Sequence, residues 1–544
     1  MSHRPRVRIY PFLAAAFPAV SLLSANSGQV RLDSVLRPLV VSLALAAGFY
    51  VLLAVALRNR DRTALLTTWS LMLIFAYGHA YDLIKGEAFL GLAFGRHRVV
   101  FPIWLLLLLA GGLGILRLKR PTLWATPLSL LFGLGLAIPL FQIAYFEVQS
   151  AQASQQRQAA VASSPQLEQP IGRTSGALPD IYYIILDGYG RQDLLFQSYE
   201  YDNSEFISGL EQMGFVVAKC SRSNYNSTIL SLASSLNFDY LNDLQPDSAE
   251  DSFWLSPLIR NGRVREYLEG MGYETIAFET GFPATTMDNA DIYLAPTSNR
   301  RDALRRLTGF EEIFLRTTFA AFVLDALQSV STVDAPALDG AAEYHRNHIL
   351  FTLDTLENLA SYRGPKFVFA HIVAPHEPFV FGPNGEAVSS PPLIDGKFTD
   401  EYRQAYADQA RYVDTRLEEI LGVLLSNTGT PPVIVVQADH GPGLGSVEDS
   451  FRILNAYFYP DAVEEIYPTI TPVNSFRLIF NSVFGSDLAP LDDASYYSAE
   501  SDPTDMVEIS YECPNWEDLC VAARNSYLLE GNCRGAEIVF ESEN

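Results

Sequence analysis

Five apolar runs crowd the first 150 residues, at about 9–25, 37–57, 63–83, 99–116 and 122–146. Each has the length a helix needs to cross a hydrocarbon core of ~30 Å, so each predicts a transmembrane helix. Arg4, Arg6 and Arg8 precede the first run as they would in a signal peptide, but four further runs behind it favour a retained anchor. A polar, Ala/Gln/Ser-rich stretch over 148–178 lacks apolar periodicity and predicts a flexible tether. Beyond it the pattern changes. Short continuous apolar runs at 180–188, 214–220, 273–280, 366–374 and 432–440 alternate with helical patterns at 203–213, 264–271, 344–360 and 401–426. Apolar strands alternating with helices predict a largely parallel α/β sheet sandwiched by helices. The pattern therefore divides the chain into a transmembrane domain (1–147), a linker (148–178), an α/β domain (179–490) and a C-terminal tail (491–544).

Charge sharpens this division. The 544 residues carry a net charge of −24. Residues 1–150 hold 14 Lys+Arg against 5 Asp+Glu, a net of +9, and the remainder holds 24 against 57, a net of −33. An acidic ectodomain lacks the basic footprint that a phosphate backbone requires, which argues against nucleic-acid binding. Within the apolar region, Arg4/Arg6/Arg8, Arg58/Arg60/Arg62 and Arg117/Lys119/Arg120 fall on one side, nine positives against five (Arg31, Arg37, Lys85, Arg96, Arg98) on the other. The positive-inside rule puts the first set in the cytoplasm. Five spans then leave the α/β domain extracytoplasmic, carried by the cell (inner) membrane. An exported domain permits disulfides, and Cys513, Cys520 and Cys533 lie close enough in sequence to supply one in the tail; Cys220 is the fourth cysteine.

Chemistry concentrates where the strands are expected to end. Ligands of such sheets bind beyond the carboxyl ends of the strands. Three of the apolar runs end there in Asp187, in His371 with His376, and in Asp439-His440. Thr228 opens the small-residue helical pattern TILSLASS, with Asn226 or Ser227 near its cap. A hydroxyl at a helix N-terminus feels a positive field, and free N–H groups nearby can hold an anionic oxygen. Thr is too weakly acidic to attack unaided, but a divalent cation beside it would stabilise the alkoxide. Asp187, Thr228, Asp439 and His440 form an O/O/O/N set suited to one such ion, Zn²⁺ or Mn²⁺ first, with Mg²⁺ or Ca²⁺ as alternatives.

LDGYG with Asp187, TILSLASS from Thr228, HIVAPHEP with His371 and His376, and QADHG with Asp439 and His440 together resemble the alkaline phosphatase superfamily. The resemblance is to its membrane-anchored, sulfatase-like group, which includes lipoteichoic acid synthases and lipid A phosphoethanolamine transferases. It implies a metal held by Asp187, Asp439, His440 and Thr228, and a Thr228 that is covalently phosphorylated or sulfated during turnover. His376 would then contact the transferred group or protonate the leaving oxygen. His371 would be a second substrate contact, though its place in an apolar run fits a core histidine equally well.

Two departures narrow the reading. The formylglycine signature fails at its third position, where Cys220-Ser221-Arg222-Ser223 has Arg instead of Pro or Ala, which disfavours an arylsulfatase. The further His that phosphoethanolamine transferases carry after their DHG is missing, which leaves Asn455 or Arg452 as substitutes, and Arg222 as a cation for an anionic substrate. The sequon Asn226-Ser227-Thr228 is read as accidental, because a glycan would block the nucleophile. The expectation is thus a metal-dependent enzyme that transfers or hydrolyses a phosphoryl-alcohol or sulfuryl group on a phospholipid or envelope glycan at the bilayer. The alternative is a catalytically silent membrane protein that binds envelope glycans or partners.

Overall fold

A computed structural model describes residues 8–163, 178–244, 254–296, 309–323, 340–391, 399–426, 429–443, 446–459, 466–499 and 502–510, apart from positions near 28–31 and 85–96, together with two dipeptide strands at 533–534 and 537–538. The chain forms two compact units, one of residues 1–156 with 297–344 and one of 157–296 with 345–544.

The first unit is helical: α1 (Tyr10–Ala25), α2 (Leu36–Leu57), α3 (Arg60–Ile84), α4 (His97–Arg117) and α5 (Ala125–Ser163). Three stretches, Leu36–Leu57, His97–Arg117 and Pro121–Val148, are long and apolar enough to cross a membrane. Their large apolar side chains stand exposed, among them Val40, Val51, Leu106, Leu113 and Leu134, as lipid-facing surface would. Helix α1 is shorter, at 16 residues. Helix α3 is more polar because it is the inner helix, packed on α1, α2 and α4. Its buried Thr67 and Thr68 hydroxyls donate to the Thr63 and Ala64 carbonyls one turn back. Helix α5 runs on through Ser163, so the first part of the expected tether is helical, in keeping with its Ala, Gln and Arg content; residues 164–177 lie outside the described residues.

The pattern of apolar runs does not reveal that part of 297–344 packs on these helices. A helix at Gly309–Arg316 places Phe310 and Phe314 in the same core as Ala15, Leu71 and Phe75, and buried Glu311 pairs with Arg37 of α2. The chain just after it crosses Gly78, where any Cβ would meet the Arg316 carbonyl at 2.0 Å.

The second unit carries a seven-stranded sheet: β1 (Ile181–Leu186), β2 (Val216–Val217), β3 (Glu274–Phe278), β4 (Ile292–Leu294), β5 (Lys366–Ile372), β6 (Val433–Ala438) and β7 (Asn455–Phe458). Its order is β2-β7-β6-β1-β5-β3-β4, parallel except for β7 against β6 and β2. Every residue of β1, β5 and β6 is buried, which is why these strands read as unbroken apolar runs. The expected helices are present as α6 (Ser204–Gln212), α7 (Thr228–Ser235), α8 (Arg263–Gly270), α9 (Gly340–Leu359) and α10 (Asp400–Ser426). One face of the sheet, with Ile181, Tyr183 and Ile185, packs on Leu230 and Leu232 of α7, Leu268 of α8, and Phe476 and Phe480 of the helix Pro472–Phe484.

The tail begins as a hairpin of Ser495–Ala499 against Asp502–Ile509. Its first strand bonds to the loop ahead of α7, with Tyr496 N–H donating to the Asn224 carbonyl at 2.8 Å. Cys220 is disulfide-bonded; Cys513 and Cys520 lie outside the described residues, as does the environment of Cys533.

Candidate metal and catalytic site

Register brings the acidic residues together. Ile185 stands opposite His371 and Gln437 on the two neighbouring parallel strands. Side chains alternate with period two, so Asp187, His371 and Asp439 emerge on the face that Ile185 shares with α7. All three are buried, and their ligand atoms lie within 4.8 Å of one another, close enough to hold a metal ion. His371 Nε2 is 3.2 Å from Asp187 Oδ2, and its Nδ1 meets Thr285 Oγ1 at 3.0 Å. His371 thus stands beside the two carboxylates; the sequence alone leaves it between a second substrate contact and a core histidine.

The carboxylates show what the site is built for. Asp439 Oδ1 accepts the N–H groups of Gly188 (3.0 Å) and His440 (2.8 Å). Asp439 Oδ2 and Asp187 Oδ1 are buried and have no hydrogen-bond partner. Buried polar atoms are rarely left so, and two bare anionic oxygens side by side fit a cation between them. Burial alone pushes the Asp187 carboxyl up, but the imidazoles of His376, His371 and His440 outweigh it and hold the group well below the usual carboxylate range. An O/O/N set of this kind accepts a divalent ion.

His440 and Thr228 close the cluster. His440 Nδ1–H donates to the Gly441 carbonyl at 2.7 Å, which leaves Nε2 as the free nitrogen. That Nε2 lies 3.6 Å from Asp187 Oδ1 and 3.6 Å from Asp439 Oδ2, and 3.2 Å from Thr228 Oγ1. Gly441 is required here, since a Cβ would meet the Asp449 carbonyl at 2.1 Å.

Thr228 is the first residue of α7; Ser227 is the cap position but makes no side-chain cap bond. Asn226 does not cap either. Its amide exchanges bonds with the Ser498 backbone at 2.9 and 3.0 Å, which fixes the loop ahead of α7. Asn224 is tied in the same way to Val473, Thr471 and Ala494.

His376 stands exposed at the rim with Nδ1 on the Glu377 carbonyl (2.7 Å), its ring 6.2 Å from that of His440. Partial withdrawal from water opposes its charge, but the Asp187 carboxylate and the Glu377 carbonyl prevail and raise its pKa.

Two sequence-derived substrate residues are engaged elsewhere. Asn455 is fully buried on β7 opposite Gln437, and its amide donates to Ser221 Oγ at 2.9 Å, so it supports the loop ahead of Thr228. Arg222 pairs by backbone with Arg452, and its guanidinium reaches the Asp493 carbonyl at 3.5 Å. The sequence reads Asn455 as a substitute for the missing His after DHG, and Arg222 as a cation for an anionic substrate. The sequence reading passed over His345, whose pKa responds to both His376 and Asp187. The pair His345/His348, one turn apart on a helix, was the available signal.

Residues 179–474, more than half of the chain, match the family model described as Sulfatase. The chain belongs to the sulfatase family. No curated protein matches it by sequence. Among solved structures it is similar to the C-terminal periplasmic domain of EcEptC from Escherichia coli in complex with Zn (11% identity, 62% of this chain and 94% of that one, TM-score 0.40). It is also similar to the phosphonate monoester hydrolase of Agrobacterium radiobacter (13% identity, 59% and 80%, TM-score 0.37). A third is a protein in the alkaline phosphatase superfamily from Vibrio parahaemolyticus (11% identity, 62% and 76%, TM-score 0.36). The sulfatase-like resemblance drawn from the sequence motifs is borne out at the level of family. Within that family this domain carries no formylglycine signature around Cys220, and Thr228 stands at the start of α7.

Proposed function

We propose that this sulfatase-family protein is a membrane-anchored, metal-dependent enzyme that transfers or hydrolyses a phosphoryl-alcohol or sulfuryl group through a covalent ester on Thr228. The observation that carries the reading is the pair of bare, buried carboxylate oxygens on Asp187 and Asp439 beside a Thr hydroxyl 3.2 Å from His440 Nε2. Asp187, His371 and Asp439, with His440 and Thr228 at their edge, would hold one divalent ion, Zn²⁺ or Mn²⁺ before Mg²⁺ or Ca²⁺, which when bound supplies charge neutralisation for the group being transferred.

The chain's own residues account for the remaining steps. His440 Nε2, 3.2 Å from Thr228 Oγ1, fixes the direction of that oxygen. The N-terminus of α7 favours negative charge at that position. Thr228 Oγ1 gives up its proton to solvent and forms the new ester bond as the bond to the leaving alcohol breaks, and His376 at the rim gives that alcohol its proton. Water or a second alcohol then takes the group from Thr228. Such transfers need positioning and charge stabilisation more than many covalent partners, so this small cluster suffices.

The three long apolar helices support a multi-pass inner-membrane anchor with the catalytic unit outside, and a lipid or envelope-glycan substrate at the bilayer surface. The test uses the full chain in detergent with Zn²⁺ or Mn²⁺, assayed on a chromogenic phosphodiester, phosphomonoester and sulfate ester and on native lipids. Turnover abolished by Thr228→Ala is the expected result. Identical behaviour of wild type and Thr228→Ala on every ester sinks the enzyme reading and leaves the silent binding protein.

A further inference from the structure

Thr285 lies outside the four motifs and outside the metal-competent trio, yet it is buried and touches a member of that trio. It closes the single 3₁₀ turn Pro283–Thr285, just past β3, which pairs with β5. Its Oγ1 is 3.0 Å from Nδ1 of His371 on β5. A hydroxyl has one hydrogen to give and two lone pairs to receive one. Thr285 has an acceptor for that hydrogen within its own turn, the Phe282 carbonyl at 3.3 Å, so Oγ1 is free to accept from His371. The far side of the ring agrees. Nε2 stands 3.2 Å from Asp187 Oδ2 without the alignment of a hydrogen bond, and it is buried with no other partner. An N–H there would be an orphaned buried donor. A hydrogen on Nδ1 instead leaves Nε2 a bare lone pair beside Asp187, the form in which an imidazole ligates a metal.

Resting on the metal site proposed above, we propose that Thr285 is a positioning residue for it. Its hydroxyl accepts the Nδ1–H of His371, which fixes the ring's orientation and keeps Nε2 open to the ion. An acceptor on the second nitrogen of a ligating histidine sets its tautomer and raises its basicity. Thr286 supplies the comparison: its Oγ1 bonds the same Phe282 carbonyl at 3.4 Å, and His371 is not among its partners.

The experiment measures metal binding, not turnover. The full chain in detergent is stripped with a chelator and titrated with Zn²⁺ against a chromophoric competitor. Thr285→Val keeps the shape of the side chain and removes the acceptor, and is expected to weaken Zn²⁺ binding about 10- to 100-fold. Thr285→Ser, which keeps the hydroxyl, and Thr286→Val stay close to wild type. A double-mutant cycle, carried to saturating Zn²⁺, shows the route. In a His371→Ala background Thr285→Val has no further effect, because the nitrogen it positions is gone. If Thr285→Val does not accumulate, Thr285→Ala takes its place in both backgrounds. Wild-type affinity in Thr285→Val, an equal loss in Thr286→Val, or an undiminished effect in the His371→Ala background overturns the assignment and leaves the metal site standing. A wild type that binds no stoichiometric Zn²⁺ overturns the metal site itself, and this inference with it.

Discussion

Thr228 Oγ1 lies 3.2 Å from His440 Nε2, and the opposite ring nitrogen of His440 is fixed on the Gly441 carbonyl at 2.7 Å. This chain of contacts sets the tautomer of His440, aims its free nitrogen at the Thr228 hydroxyl and places both beside Asp187 and Asp439. Each link depends on the one before it.

Metal removal destabilises the protein. Without a cation, Asp187 Oδ1 and Asp439 Oδ2 are buried oxygens with no hydrogen-bond partner, offset only by the neighbouring imidazoles. Chelation therefore lowers the melting temperature, and adding back Zn²⁺ or Mn²⁺ restores it; at a thousandfold excess over Kd the gain is about 4 kcal/mol. Asp439→Asn and His371→Ala lose this metal-dependent gain and retain less than stoichiometric metal by elemental analysis. A chelated wild type that melts with the loaded protein would count against the site.

Asp414 supplies a pH signature. Its buried carboxylate accepts the Tyr189 and Tyr201 hydroxyls at 2.7 and 2.5 Å, and burial pushes its pKa up to about 7 against the partial relief those bonds give. The unfolded chain loses this proton near pH 4 and the folded chain only near 7, so the folded state binds the extra proton between them. Stability from this group is full below about pH 4 and declines as pH rises towards 7. Thermal melts of wild type and Asp414→Asn across pH 4–8 should show the wild type losing ground relative to the variant over that window, by as much as about 4 kcal/mol. Parallel curves would remove the assignment.

Much of this was legible in the sequence, for identifiable reasons. Strands β1, β5 and β6 are buried on both faces, so they had to be continuous apolar runs, and their polar ends had to be the site. Strand β2 is a two-residue part of the run at 214–220, whereas β4 and β7, three and four residues long, carry no such signal. His371 was ambiguous because a ligand on a central strand is surrounded by the same apolar residues as a core histidine; only register with Ile185 and Asp187 resolves it. His345 was missed because helical periodicity does not report which neighbour a helix faces. The Gly309–Arg316 segment was missed because its partners, Arg37 and Phe75, are more than 230 residues away.

Arg37 and Glu311 form a testable clamp. Glu311 is buried while Arg37 is half-exposed. Arg37→Ala takes the guanidinium away from a buried carboxylate and is expected to cost on the order of 2 kcal/mol. The double variant Arg37→Ala/Glu311→Ala should recover part of that loss, which limited proteolysis near residue 311 in detergent would register. Equal susceptibility of the single and double variants would show that the pair contributes nothing.

The central claim is the covalent Thr228 ester, and intact-mass spectrometry tests it most directly. Full-length protein loaded with Zn²⁺ or Mn²⁺ is mixed with an excess of chromogenic phosphodiester or sulfate ester and quenched in acid. The account predicts one added phosphoryl-alcohol or sulfuryl group, mapped by peptide sequencing to Thr228. It should be absent in Thr228→Ala and retained in part in Thr228→Ser. Turnover without any adduct, persisting in Thr228→Ala, would contradict it.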